Sequence, residues 1–193
     1  MIYSWDDIIK ENKESIKLVG YGSLLNKNSN SYDDSLLPVI VKWFKRIYNI
    51  KMIPDNYSEK WLNNFRKYLV KYWIESEEEI DKLNKENMCV LNCTYTWNNN
   101  DILNWLLLNI QKKDLVEFSQ REAQYNLMKT TFNSIDPHTG EYTWKSGDAY
   151  ILTAKPEQII TNWQAFQAYH ENAKKWAYSI GEYFWKTFEE SIL

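Results

Sequence analysis

Strand-like and helical segments follow one another irregularly along this chain, and their order is the strongest constraint on its fold. Runs of β-branched and aromatic residues predict six strands, at residues 16–21, 39–48, 88–96, 102–110, 125–132 and 149–153. Apolar spacing predicts helices at 5–13, 58–84, 111–121 and from 164 onward, and the sequence Asp-Pro-His-Thr-Gly at 136–140 predicts a hairpin turn. Because helices interrupt the strands without regular β–α alternation, we predict an α+β domain with a mixed sheet or a small barrel.

The size and charge of the chain limit its organisation and its partners. A length of 193 residues suits one domain, which we expect over 1–193 with a helical insertion at about 58–84. A net charge of −3 provides no electrostatic attraction for nucleic acid. No run approaches the ~18 apolar residues that span a bilayer, and the first residues include acids where a signal peptide carries positive charge. We therefore expect a soluble, cytoplasmic protein that binds neither nucleic acid nor membrane, with no prediction of its oligomeric state.

The cysteines do not indicate a metal site. Cys89 and Cys93 are the only two, and a structural zinc site needs four ligands. Neither His138 nor His170 is spaced to complete such a site. Since free cysteines are usually buried, we predict that both lie inside a strand and that the chain holds no metal.

Glycines are scarce but concentrated at one point. Two of the five, Gly20 and Gly22, follow the apolar residues 16–19. A strand that turns sharply at Gly22 exposes successive backbone N–H groups, and such an array can bind a carboxylate or a phosphate. The segment is not a P-loop, because it lacks the lysine and the length of that motif. An ordinary turn after a strand explains the same residues when they are considered alone.

Other segments give this turn a context. Residues 21–24, Y-G-S-L, resemble the loop that ends the first strand in the γ-glutamylcyclotransferase-like family, and residues 121–125, R-E-A-Q-Y, resemble that family's acidic motif. Tyr169 lies in a segment that is similar to the family's last helix. Segments 41–49, 90–92 and 104–110 resemble its intervening strands. The resemblance extends over 16–188 and implies an α+β fold with a small mixed β-barrel flanked by helices.

The resemblance also implies a reaction. The family cyclises a γ-glutamyl amide or peptide to 5-oxoproline and releases an amine or amino acid, without a cofactor. Glu122 takes the role of catalytic acid/base, because the attacking amine must lose a proton and the leaving nitrogen must gain one. Its position between a predicted helix and a predicted strand adjoins apolar surface that raises a carboxyl pKa.

Six residues are assigned to substrate binding by the same resemblance. They are Tyr21, Gly22, Ser23, Leu24, Tyr125 and Tyr169. Backbone N–H groups of the four loop residues would hold the substrate's α-carboxylate or its carbonyl oxygen, and the last two tyrosines would line the pocket.

Three alternatives stay open at this stage. Glu122 can be a surface residue paired with a neighbouring lysine or arginine. Trp43 and Trp105 stand where the family usually has glycine, and rings that fill the pocket would leave a catalytically inactive protein that binds a small carboxylate-bearing ligand or a protein partner. The leaving group can also differ, so that the γ-glutamyl group is removed from a biosynthetic intermediate rather than from glutathione.

Overall fold

The computed structural model describes residues 1–20, 36–51, 88–161 and 164–193, together with the helical positions 59, 63, 66 and 67. The predicted loop at 21–24 and most of the predicted insertion at 58–84 lie outside the described residues. The described elements are β1 (Ile2–Tyr3), α1 (Trp5–Lys10), β2 (Ser15–Gly20), β3 (Leu37–Lys42), β4 (Phe44–Lys51), β5 (Met88–Tyr95), β6 (Ile102–Gln111), α2 (Lys112–Arg121), β7 (Tyr125–Ile135), β8 (Tyr142–Ala154), β9 (Gln164–Ala165), α3 (Gln167–Ile180) and α4 (Glu182–Glu190). The chain is an α+β protein, as predicted.

The larger sheet contains six strands, five of which form a circuit, while β1 pairs only with β7. Its order is β1-β7-β3-β6-β2-β8, and β7 also pairs with β8, which completes a circuit of strands. The pairing of β2 with β8 is parallel, and the other pairings in this sheet are antiparallel, so the sheet is mixed. β7 and β8 form a hairpin around the predicted turn, where the Gly140 N–H donates to the Asp136 carbonyl at 2.9 Å. β8 is longer than expected, because it begins at Tyr142 rather than at residue 149.

The prediction of a single strand at 39–48 is wrong, because Trp43 divides this segment between β3 and β4. Trp43 has a φ of 76°, a left-handed conformation that is uncommon for a bulky residue. Its N–H donates to the Asp101 carbonyl and its own carbonyl accepts from the Thr96 N–H, each at 2.8 Å. β3 belongs to the six-stranded sheet, whereas β4 pairs with β5 in a second sheet of order β4-β5-β9. The chain therefore changes sheets at Trp43.

Local sequence explains how the helices begin and end. The Ser4 hydroxyl accepts from the Asp7 N–H at 3.2 Å and the Asp7 carboxylate accepts from the Ser4 N–H at 2.9 Å, a capping box that starts α1 as predicted. The C-terminal region is two helices after β9 rather than one, because Gly181 separates α3 from α4. A Cβ at Gly181 would overlap the carbonyl of Pro137, which accepts from the Phe184 N–H at 2.9 Å. Glycine thus lets α4 pack against the hairpin turn.

A buried arginine joins both sheets to α4. Arg46 on β4 is fully buried, and its guanidinium donates to the side chain and carbonyl of Asn104 on β6 and to the hydroxyl of Ser191 after α4. It also lies over the rings of Trp105 and Phe188, at 5.1 and 4.4 Å from their centroids. Burial lowers the pKa of Arg46 to about 9. The end of α4 is therefore fixed to the sheets by a desolvated cation.

Candidate functional site

Glu122 lies at the junction between α2 and β7, where the sequence predicted it. Its N–H donates to the Phe118 carbonyl at 3.0 Å, which closes the last turn of α2. Its carbonyl accepts two hydrogen bonds, one from the Tyr125 N–H at 3.0 Å and one from the indole N–H of Trp5 at 3.1 Å. Three hydrogen bonds therefore hold the backbone of Glu122 in place.

The bond from Trp5 ties α1 to the site across 117 residues of sequence. Trp5 and Phe118 are both buried, with ring centroids 5.7 Å apart. The capping box at Ser4 fixes the start of the helix that carries Trp5. The two rings form an apolar support below the end of α2, which the periodicity of either helix does not reveal.

The carboxylate of Glu122 is largely removed from water and is paired. Its side chain is 12% exposed, and its Oε1 atom accepts from Nε of Arg121 at 2.8 Å. Burial raises the pKa of the Glu122 carboxyl above its ordinary value, and the adjacent guanidinium of Arg121 partly opposes that rise in pKa. Glu122 has the charged neighbour that the alternative interpretation expected, and most of its side chain is buried.

Arg121 is the more accessible member of this pair. Its side chain is 35% exposed, and its guanidinium lies over the ring of Phe118 at 4.7 Å. Sequence reasoning used Arg121 only as part of a motif and did not assign it a role. The available signal was its charge directly beside the candidate acid/base.

The structure places the two tyrosines that were predicted to line the pocket in different surroundings. Tyr125 is buried at the start of β7, pairs with Ala154 of β8 and contacts Glu122 through the backbone. Tyr169 is buried on α3, within electrostatic range of Arg46. The described contacts thus link Tyr125 to Glu122 and Tyr169 to Arg46. The other four candidates, Tyr21, Gly22, Ser23 and Leu24, lie outside the described residues, and their roles stay predictions.

The two tryptophans that were considered as possible obstructions of the pocket, Trp43 and Trp105, also differ in their surroundings. Trp43 is 38% exposed and stacks on Tyr95 with an interplanar angle of 12°. Trp105 is fully buried on β6 beside Arg46. Only Trp105 therefore adds its whole ring to the interior.

The described residues also bear on metal binding and on membranes. Cys89 and Cys93 form no disulfide and are both buried on β5, as predicted. Among the residues that the structure describes, no group of three or more histidine, cysteine, aspartate or glutamate side chains is arranged to hold a metal ion. No helix within the described ranges is long and apolar enough to cross a membrane.

Comparison with solved structures identifies the fold. Neither a protein-family model nor a curated protein matches the sequence. YkqA from Bacillus subtilis is similar in structure with a TM-score of 0.55 at 11% identity, over 95% of this chain and 56% of YkqA, so the chain spans little more than half of that protein. A yeast gamma-glutamyl cyclotransferase specific to glutathione is similar with a TM-score of 0.51 at 10% identity, over 92% of this chain and 97% of that one.

A further structure, named gamma-glutamyl cyclotransferase, is similar with a TM-score of 0.50 at 12% identity, over 86% of this chain and 80% of that one. These identities are low, so the likeness concerns architecture. It agrees with the mixed sheet and flanking helices described above. The chain therefore has the γ-glutamylcyclotransferase-like fold.

Proposed function

We propose that this protein cyclises a γ-glutamyl amide or peptide to 5-oxoproline and releases an amine or amino acid, with Glu122 as acid/base. The observation that carries the proposal is a carboxylate that is 12% exposed, has a raised pKa and is fixed by its backbone at a helix–strand junction. The fold, which includes proteins named gamma-glutamyl cyclotransferase, supports the same reaction class. The proposal includes a small-molecule γ-glutamyl partner, no cofactor and a cytoplasmic location.

The reaction requires one group to move protons between two nitrogens. The Glu122 carboxylate takes a proton from the substrate's α-ammonium group, and the resulting amine attacks the γ-carbonyl carbon. A ring C–N bond forms, and the protonated Glu122 gives its proton to the leaving nitrogen as the original amide C–N bond breaks. The second proton lost by the ring nitrogen passes to the released amine, which leaves as an ammonium ion, and Glu122 is again a carboxylate.

The environment of Glu122 suits both halves of this proton transfer. A carboxyl with an ordinary pKa is a weak base at neutral pH, and a raised pKa brings it closer to the pH at which it must accept and donate. The attack is intramolecular, because the amine and the γ-carbonyl already belong to one substrate molecule. Holding that molecule folded restricts the torsions between the two groups and keeps them in an attacking geometry. The protein's remaining task is to place one carboxylate beside the α-nitrogen.

The experiment is a 5-oxoproline release assay on purified protein with γ-glutamyl amino acids, γ-glutamyl amines and glutathione. We expect activity on at least one member, and a loss of about 10²–10⁴-fold in kcat for Glu122→Gln, because general acid–base catalysis contributes that much. Glu117→Gln is the matched control, since Glu117 is an exposed glutamate of the same helix. Release at the unaltered rate by Glu122→Gln would remove the acid/base assignment.

The binding alternative has a distinct signature in the same experiment. A ligand that raises the melting temperature without releasing 5-oxoproline indicates a protein that keeps the fold and binds a small carboxylate-bearing compound. The fully buried ring of Trp105, at a position where the family usually has glycine, is the observation that favours this alternative. Turnover of any γ-glutamyl compound with the expected loss in Glu122→Gln contradicts it.

A further inference from the structure

An arginine and a glutamate form an ion pair at the end of α2, and the two side chains differ in their access to solvent. Nε of Arg121 lies 2.8 Å from Oε1 of Glu122, while the two side chains are 35% and 12% exposed. The guanidinium lies over the Phe118 ring, which is itself fully buried and fixed against Trp5. A positive and a negative group are thus presented side by side from a rigid support.

This pair is complementary to one end of a γ-glutamyl compound. The α-carbon of the substrate carries both an ammonium and a carboxylate, so the two charges are attached to the same atom. If Glu122 accepts a proton from the α-nitrogen, the α-carboxylate lies within reach of the Arg121 guanidinium, which is hydrogen-bonded to Glu122. A guanidinium has five N–H donors in a planar fork that matches a carboxylate, and the Nε–H is the one donated to Glu122.

We propose that Arg121 is a substrate-binding residue that holds the α-carboxylate of the γ-glutamyl substrate, turning its guanidinium from Glu122 toward that carboxylate as the substrate binds. The inference rests on the proposed function and gives it a specificity determinant. It predicts that the enzyme recognises a free α-carboxylate beside the reacting amine.

When Arg121 exchanges Glu122 for the substrate carboxylate, the proton affinity of Glu122 also changes. In the described structure the Arg121 guanidinium lowers the proton affinity of Glu122 and burial raises it. The described groups hydrogen-bonded to Glu122 are Trp5, Phe118, Arg121 and Tyr125, and of these only Arg121 carries a charge at neutral pH. When Arg121 binds the substrate carboxylate, that cation is neutralised by a second anion, and Glu122 gains proton affinity at the moment when it must act as a base.

The test compares two substrates in three proteins. The substrates are a γ-glutamyl compound that the enzyme turns over and the same compound with its α-carboxylate converted to a carboxamide, and the proteins are the unaltered chain, Arg121→Met and Arg121→Lys. We expect Arg121→Met to lower kcat/KM for the carboxylate substrate by about 10- to 100-fold, the range for a charge-assisted hydrogen bond, mainly through KM. We expect the carboxamide substrate to lose much less, and Arg121→Lys to recover part of the loss because it keeps the charge without the planar fork.

Each outcome decides the inference. Equal losses on the two substrates in Arg121→Met would show that Arg121 acts only on the structure of the site, and an unaltered enzyme that does not distinguish carboxylate from carboxamide would overturn the proposal outright. Calorimetric binding of both compounds to the same proteins separates this inference from the proposed function. Binding that depends on Arg121 and on the α-carboxylate, without 5-oxoproline release, would retain the inference and overturn the cyclisation.

Discussion

Trp5 is the residue whose replacement most sharply tests how the fold holds the site. Its indole N–H donates to the carbonyl of Glu122 at 3.1 Å, and its ring packs on Phe118. Trp5→Phe removes the donor and shortens the ring while it keeps an aromatic side chain on α1. The perturbation therefore acts on the position of Glu122 without altering any charge.

The cost in the free energy of unfolding can be estimated from these contacts. The Glu122 carbonyl keeps its bond from the Tyr125 N–H, so it is not left unpaired, and the lost hydrogen bond costs about 0.5–1.5 kcal/mol. Trp5 is 7% exposed, and partial truncation of a buried ring costs about 1–2 kcal/mol, less than the 3–5 kcal/mol of a full truncation. The sum of about 1.5–3.5 kcal/mol corresponds to a fall in Tm of roughly 3–14 °C for a chain of this size.

Thermal unfolding and 5-oxoproline release measure the two consequences. We expect kcat to fall by up to about 10²-fold, because a displacement near 1 Å at a catalytic group has that effect. Trp144→Phe makes the same change at a tryptophan that is 85% exposed and should leave both measurements unaltered. A Trp5→Phe protein with unchanged Tm and unchanged kcat would refute the claim that this contact positions Glu122.

Two other predictions concern buried charge. The carboxyl of Glu122 in the folded protein has a pKa above its ordinary value of 4.5. At pH values between 4.5 and that raised pKa, the folded protein binds more protons than the unfolded chain, so its stability falls as the pH rises through this window. Glu122→Gln lacks this pH dependence, so its stability relative to the unaltered protein should increase across the window and then level off. Denaturant titrations from about pH 4 to 8 measure this. A difference in stability between the two proteins that stays constant with pH would contradict the raised pKa. Arg46→Met should cost about 2–6 kcal/mol, because the buried acceptors on Asn104 and Ser191 each lose a donor at about 1–3 kcal/mol per group. Lys45→Met, whose ion pair with Asp101 is partly exposed, should cost at most about 1 kcal/mol. Equal losses in a thermal unfolding assay would contradict this role for Arg46.

Much of the fold could be predicted where local signals were strong. The cap at Ser4, the strands β2, β5 and β6 and the hairpin turn at 136–140 follow from residue types within a few positions of one another. The strand break at Trp43 could not be predicted, because a left-handed tryptophan inside an apolar run carries no turn residue to announce it. The length of β8 was underestimated because its first half is exposed and includes Lys145, Gly147 and Asp148, residue types that are depleted in strands. Pairing with β7 is the stabilising interaction of that half.

The candidate site, like the fold, could be predicted from the sequence only in part. The position of Glu122 at the end of a helix followed from periodicity and from the motif around it. The contacts that give the carboxylate its environment depend on tertiary structure, because Trp5 is 117 residues away from Glu122 and no local pattern brings them together. From the sequence, Arg46 is one of several cations on a strand in which buried and partly exposed residues alternate. Only the packing of α4 shows that Arg46 is buried.

The pH dependence of 5-oxoproline release tests the central claim most directly. The proposed mechanism requires the carboxylate form of Glu122, so kcat/KM should fall as pH decreases through the raised pKa of that group, with a midpoint above the ordinary carboxyl value of 4.5. Glu122→Gln should lose this acidic limb together with most of the rate. An acidic limb that persists in Glu122→Gln, or one whose midpoint lies at or below 4.5 in the unaltered enzyme, would contradict the assignment of Glu122 as the acid/base.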